Sequence, residues 1–415
     1  MSEILFPDIG QCSLIKHSES ICGDFCYVLR DGDRMTAVLS DGLGSGVKAN
    51  ILATLTSKIL STLIARDLPL DECIYTVAST LPMCSERKIA YATFTVLQIE
   101  DNTAYLVQYD NPSAILLRGG ESVQYKKDVH FYAEKQIYES RFELQDGDMI
   151  LLMSDGIVNA GMGKNASSGW KREEVETFLE GWWSPKLSPK RAASILCEAA
   201  EDLSLRSLDD DTTVLVCKMR VHRMANLLIG PPHDPKQDGQ ILDEFFSKQG
   251  SHIICGGTTS KLAAAYLDKP LRPLPDTATE KVPAISELEG ADLVTEGFIT
   301  LRETAAMGRN YISNDIFTFD TAKASDGASL LCRELFENAD SVNIFFGTAE
   351  NTSNADLSMS LNTKLALVKE IETMLKKQGK SVNIKICLKS GCKKSPQEKR
   401  LRSCQKARQQ SFFVV

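Results

Sequence analysis

No stretch of this chain approaches the ~18–20 apolar residues that a membrane-spanning helix needs, so no membrane segment is expected. The opening MSEILFPDIGQC has no basic region followed by a long apolar run, so no signal peptide is expected either. The 12 cysteines form no CxxC pair; the closest spacings are Cys22 with Cys26 and Cys387 with Cys392. Without an export signal, reduced thiols and a cytoplasmic location are the expectation. Five dispersed histidines do not supply the partners that a zinc site on either cysteine pair would need. Basic charge is in deficit as well, with 47 Lys+Arg against 55 Asp+Glu and a net charge of −8. That balance argues against a nucleic-acid protein as a whole.

The 415 residues, 43% apolar and 25% charged, suit about two soluble globular domains, each with its own core. Up to about Met219, strand patterns alternate with helices. GVKANILATLTSKILSTLIARD places Val47, Ile51, Leu55 and Ile59 at i, i+4 spacing, and Leu52, Leu60 and Leu63 widen the stripe. YATFTVLQIEDNTAYLVQYDN predicts a hairpin turning at Asp101-Asn102, and SAILLRGGESVQY another turning at Gly119-Gly120. In LSPKRAASILCEAAEDLSL, Ser188 is the expected N-cap with Pro189 at the first helical position. Ala192, Ile195, Ala199 and Leu203 are its expected apolar face. Hairpins dominate, which predicts an α+β fold: an antiparallel β-sandwich flanked by helices.

Beyond RVHRMAN, single strands alternate with helices, and this half predicts a three-layer α/β domain with a parallel or mixed sheet. Asp234-Pro235 can start its first helix and Gly250 can stop it; residues 269–290 read as a connection. The expected division is 1–222, 223–388 and a basic tail, 389–415, in which eight Lys or Arg stand against Glu398. Such a tail reads first as a solvated end and second as a patch for an acidic surface.

Four places in the first domain put an Asp at a strand end: CGDFCYVL (Asp24), LSDGLGSG (Asp41), MSDGIVNAG (Asp155) and LDDDTTVLV (Asp210, Asp211). Any one Asp-Gly reads most simply as a turn. Antiparallel pairing would bring several together at one edge, where carboxylates repel unless a cation neutralises them. Hard divalent ions with oxygen ligands, Mg²⁺ or Mn²⁺, suit such a cluster. Gly42 would let the backbone approach it and offer a carbonyl ligand. Two bridged ions about 4 Å apart would acidify a shared water facing a phosphorus ester.

Gly23-Asp24, Asp41-Gly42 with Gly44-x-Gly46, Ser154-Asp155-Gly156 and Asp210-Asp211-x-Thr213 resemble the motifs of the metal-dependent serine/threonine phosphatases, the protein phosphatase 2C superfamily. SDGLGSGVKA, NPSAILLRGG and DGDMILLMSDGIVNA are similar to the bacterial sporulation stage II E-type branch. The resemblance covers roughly residues 10–219. It implies two Mn²⁺ or Mg²⁺ ions and hydrolysis of phosphoserine or phosphothreonine. It implies Asp41 as the bridging ligand and Asp155 and Asp210 on one ion. The Gly42 carbonyl would then be on the other, with Asp24 contributing through its carboxylate or a water and Asp211 behind the ligands. It further implies a phosphorylated, anti-anti-sigma-like protein partner in bacterial signalling, and by analogy a homodimer through the helix region Val47–Ile64 or its neighbours. The phosphate-gripping Arg of the eukaryotic branch has no counterpart before Asp24, where only Lys16 and His17 are cationic. A Cys-x5-Arg loop is absent too.

In the second half, HIICGGTTSKLAAAYL places Gly256, Gly257, Thr258, Thr259 and Ser260 between a strand and a helix, where amides and hydroxyls can hold an anion. The spacing is neither a Walker loop nor GxGxxG, and a capped βα turn is the plainer reading. A small-molecule or protein effector acting there on the phosphatase is the expectation for this half. The alternative is a pseudophosphatase that only recognises a phosphorylated partner, against which stands the presence of all four acids.

Overall fold

The computed structural model describes residues 5–31, 34–80, 92–132, 135–165, 168–312, 325–349 and 361–387. The expected basic tail lies outside the described residues. The chain divides into two compact units, the first built mainly on residues up to Arg223 and the second on residues from Met224.

In the first unit the chain runs β1 (Phe6–Leu14), β2 (Asp24–Asp31), β3 (Arg34–Asp41), α1 (Gly46–Ile64), α2 (Leu70–Thr80), β4 (Thr93–Glu100) and β5 (Thr103–Tyr109). It continues through β6 (Ile115–Arg118), β7 (Glu121–Val123), β8 (Asp128–Tyr132), β9 (Lys135–Glu143) and β10 (Met149–Met153). Then come α3 (Asp155–Val158), α4 (Arg172–Trp182), α5 (Pro189–Leu203) and β11 (Thr212–Arg220). Two antiparallel sheets result, of order β1-β11-β10-β6-β7 and β2-β3-β4-β5-β9-β8. Alternation along the strands sends Ala37, Leu39, Leu97 and Leu106 of one sheet against Leu116, Ile150, Leu152 and Leu215 of the other. Outer faces are covered by helices: Leu196 and Cys197 of α5 lie over Leu151 and Val216, and Leu60 of α1 lies over Val38 and Val96. The expected sandwich flanked by helices is what forms.

Both expected hairpins are present. Asp101 and Asn102 take φ of 48° and 62°, the mirror-image turn geometry that matches strand twist. Ser188 caps α5 by accepting from the Arg191 amide at 3.3 Å, with Pro189 next.

Two helix faces need correction. Val47, Ile51 and Leu55 of α1 are 58%, 49% and 40% exposed, while Ala49, Ala53, Thr56, Ser57, Leu60 and Ser61 are buried. Small residues face the sheet because the helix lies against the Asp41-Gly42 turn: a Cβ on Gly42 would fall 2.0 Å from the Ala49 carbonyl oxygen. On α5 the expected Ala192 is buried, together with Ala193, Leu196, Cys197 and Ala200, while the expected Ile195, Ala199 and Leu203 pack at the margin of that line. Long side chains reach the core from the flank while alanine lets the backbone sit close.

The second unit runs β12 (Met224–Ile229), a 3₁₀ turn at Pro235–Gln237, α6 (Asp238–Phe246), β13 (Ser251–Cys255) and α7 (Gly257–Leu267). Next are β14 (Arg272–Leu274), β15 (Ile285–Glu287), β16 (Leu293–Thr295), α8 (Phe298–Ile312) and α9 (Gly327–Cys332), which passes into a π-helical turn at Arg333–Asn338. β17 (Ser341–Gly347), α10 (Leu361–Lys377) and β18 (Ser381–Cys387) complete it. The sheet is mixed, with order β14-β15-β16-β13-β12-β17-β18, parallel from β16 to β18 and antiparallel at the β14–β15 edge. Both faces are apolar: Leu228, Ile254 and Phe345 lie under α6 and α7, while the alternate Leu227, Ile253, Ile344 and Phe346 are equally buried. Residues 269–290, read as a connection, contribute this edge ribbon; three-residue strands of mixed polarity leave no periodic signal.

Candidate metal centre

Strand pairing places the first two acids. Asp24, first residue of β2, is the register partner of Asp41, last residue of β3. On the other sheet, Asp155 follows β10 and Asp210-Asp211 precede β11; these neighbouring strands are tied there by Ser154 N–H to the Thr213 carbonyl, 2.9 Å, and Thr213 N–H to Ser154 Oγ, 2.9 Å. Each sheet thus delivers its acids to an edge, and their charges act on one another across the sandwich. Burial pushes the Asp41 carboxyl up to about 9, helped by the charges of Asp24, Asp155 and Asp210. Burial likewise raises Asp24 to about 7, with Asp211 and Asp155 adding to it. The Ser154 and Thr213 hydroxyls stand near enough to Asp24 to pull it down, yet neither is hydrogen-bonded to it. Asp155 and Asp210 are also raised, burial being the main cause in both.

A buried carboxylate is normally satisfied by donors. Asp24 is 4% exposed and, among the described residues, neither of its oxygens has a partner, nor has Oδ1 of Asp155. Oδ2 of Asp155 accepts from Asn159 at 3.2 Å, and Asp210 Oδ1 from the Asp211 amide at 2.9 Å. Acceptors left bare, facing other acceptors, suit a hard divalent cation better than any donor the chain supplies. Among the described residues no three His, Cys, Asp or Glu side chains stand grouped so that they could hold a metal ion. The acids act on one another through their charges.

Asp211 differs from its neighbours. It is buried, and its two oxygens accept the Lys16 amide at 3.0 Å and the Gly23 amide at 2.8 Å. It fastens the β1–β2 loop to the start of β11 and so fixes where Asp24 begins. Gly42 N–H in turn reaches the Gly23 carbonyl at 3.3 Å.

Sequence reasoning missed Asp110. Its charge helps raise Asp155, and it turns at φ 57° after β5, beside an Asn111 that accepts from Thr93 at 2.6 Å. Thr93 is the register partner of Asp41. A polar Asp-Asn-Pro after an apolar strand was the available signal, but it reads equally as a plain turn. Gly256–Ser260 lie in the second unit, at the β13–α7 turn.

Residues 31–220 match the family model of the stage II sporulation protein E family. The curated stage II sporulation protein E of Bacillus subtilis (strain 168) is 21% identical over 216 residues, which are 51% of this chain and 25% of that protein. The chain thus spans a quarter of that relative's length. The family read from the motifs is the one the comparisons find. Among solved structures, the phosphatase domain of that Bacillus subtilis protein is similar at 18% identity, covering 53% of this chain and 95% of that one, with a TM-score of 0.42. The catalytic domain of the serine/threonine phosphatase PstP, solved with two manganese ions, is similar at 22% identity, covering 52% and 99%, with a TM-score of 0.35.

Proposed function

We propose that this chain is a serine/threonine phosphatase of the stage II sporulation protein E kind, dependent on two divalent cations. The observation that carries this reading is the group of Asp24, Asp41, Asp155 and Asp210, with buried carboxylate oxygens left bare, the last three of them inside the segment that matches that family. Asp41 stands among the other three charges and is the natural shared ligand. Asp155 and Asp210, at the ends of adjacent strands, would hold one ion; the Gly42 carbonyl and Asp24 would complete the other side. When bound, Mn²⁺ or Mg²⁺ supplies positive charge for the phosphate and acidifies water.

The chain's own contribution is placement. Asp211 fixes Asp24 through two backbone amides, and the Gly42–Ala49 contact fixes the end of β3. Four carboxylates brought together in advance store repulsion that a cation relieves, which makes its binding selective for high charge. The substrate we propose is a phosphoserine or phosphothreonine protein, anti-anti-sigma-like by family resemblance, in the cytoplasm. No helix among the described residues is long and apolar enough to cross a membrane.

Hydrolysis of p-nitrophenyl phosphate and of a phosphoserine peptide, with Mn²⁺, Mg²⁺ or EDTA, tests this for wild type, Asp41→Asn and Asp155→Asn. Turnover that needs the cation and is lost in both variants is expected. Turnover unchanged in EDTA, or retained by both variants, would overturn it.

A further inference from the structure

The second unit holds a feature that the phosphatase reading does not use. α7 follows β13 directly, and no side chain caps its first turn, so the amides of Gly257, Thr258 and Thr259 lack the usual acceptor. Gly256 makes the turn at φ 129°, a conformation open to glycine. Gly297, which follows β16 on the neighbouring parallel strand, packs on it: a Cβ there would stand 3.4 Å from the Gly256 Cα. Two glycines thus leave the mouth between the β13–α7 and β16–α8 turns without side chains.

Among the described residues, two buried hydroxyls on α7 and α8 have no partner. Thr259, 1% exposed, points Oγ1 at the Gly256 turn, 3.0 Å from where a Cβ would be. Thr300, fully buried in the first turn of α8, has an Oγ1 with no partner either. Buried hydroxyls normally find partners inside the protein. Neighbouring polar groups are already engaged: Ser260 Oγ donates to the Gly256 carbonyl at 2.7 Å, and the Gly256 amide donates to Thr295 at 2.9 Å. Lys364 of α10 lies close enough to Cys255, at the end of β13, for its charge to act on the thiol. On the other side Glu296 caps α8 by accepting from the Ile299 amide at 3.1 Å. Its carboxylate keeps an anion off α8 and offers an acceptor for hydroxyls.

We propose that the β13–α7 turn, with the β16–α8 turn beside it, is a binding site for the phosphate ester of a small hydroxyl-bearing metabolite. The phosphate sits on the amides of Gly257–Thr259 and the Thr259 hydroxyl, and the hydroxyl-bearing part faces Glu296. Carboxyl ends of parallel strands are where such ligands collect, and a helix start is suited to phosphate. This inference does not rest on the phosphatase reading.

The test is calorimetric titration of the full chain in EDTA, which silences a cation-dependent centre, with inorganic phosphate, glucose 6-phosphate and AMP. One ester should saturate at one site per chain, more tightly than inorganic phosphate. Gly257→Asp places a carboxylate where the structure leaves open space and where helix starts favour negative charge, so it should fold normally and weaken binding by at least ~10-fold. Thr259→Val, which keeps the shape and removes the hydroxyl, should weaken binding. No saturable binding of any probe up to about 10 mM, or equal affinity in Gly257→Asp and wild type, would overturn the site. Equal affinity for inorganic phosphate and both esters would overturn the ester assignment.

Discussion

Replacing Asp41 by asparagine should make the cation-free protein more stable at alkaline pH while removing its activity. The carboxyl stands at about 9 against an ordinary value of 3.8. At about 1.4 kcal/mol per pKa unit, that difference sets a ceiling of roughly 7 kcal/mol. Partial exposure and solvent screening bring the expected effect to about 2–3 kcal/mol. The sign follows from proton linkage. The folded-state value lies above the unfolded one, so the folded state holds the proton more tightly, and this stability is whole below about pH 4. It is lost as pH rises through about 9, where folding must hold a carboxylate among Asp24, Asp155 and Asp210. Asparagine keeps the shape and carries no charge. Thermal unfolding in EDTA at pH 5 and pH 9 reads the difference, and subtracting wild type from Asp41→Asn at each pH removes groups common to both. For a unit of this size the gain at pH 9 should be about 5–10 °C, shrinking toward pH 5. Added Mn²⁺ should raise the wild-type midpoint and leave the variant's nearly unchanged. A variant no more stable than wild type at pH 9, or a difference independent of pH, would refute the reasoning.

Asp211→Ala removes the acceptor of two backbone amides and should cost about 2–3 kcal/mol in denaturant unfolding; the conservative Asp211→Asn, keeping one acceptor oxygen, should lose less. Gly42→Ala would press a Cβ to within 2.0 Å of the Ala49 carbonyl. It should yield little folded protein or shift α1, seen as a changed far-ultraviolet spectrum and a lower midpoint. Arg118 pairs with the buried Asp148 at 2.7 Å, and Arg118→Met should cost about 2–3 kcal/mol in the same assay by leaving that charge with the Gln145 amide in place of its cation. Val47→Ser and Ile51→Ser, on the exposed side of α1, should change stability by less than about 0.5 kcal/mol, whereas a buried stripe would lose several times more.

The parts of this molecule that were legible in sequence are those with a local cause. The Asp101-Asn102 and Gly119-Gly120 turns each join two apolar strands, so their hairpins followed from turn chemistry alone. Ser188-Pro189 marked its helix start in the same way. The second unit's alternation of strand and helix showed its layers, and only the short β14–β15 ribbon escaped. Which side of α1 meets the sheet was not legible, because periodicity favours the Val47–Ile51–Leu55 side while close approach at Gly42 demands Ala49 and Ala53. At the acid cluster, Asp-Gly placement named candidates without showing that two sheets would bring them to one end. The role of Asp211 was the least visible part. It is adjacent in sequence to Asp210, yet it spends both oxygens on amides 195 and 188 residues away, while Asp210 faces the cluster.

The central claim is that these four acids form a centre for divalent cations, and Mn²⁺ binding measures that most directly. Titration of the full chain with Mn²⁺, followed by electron paramagnetic resonance of the free ion, should show two bound ions per wild-type chain. Asp41→Asn should lose both and Asp155→Asn at least one, with each variant still folded by circular dichroism. Wild-type stoichiometry and affinity in both variants, or no bound Mn²⁺ in wild type, would contradict it.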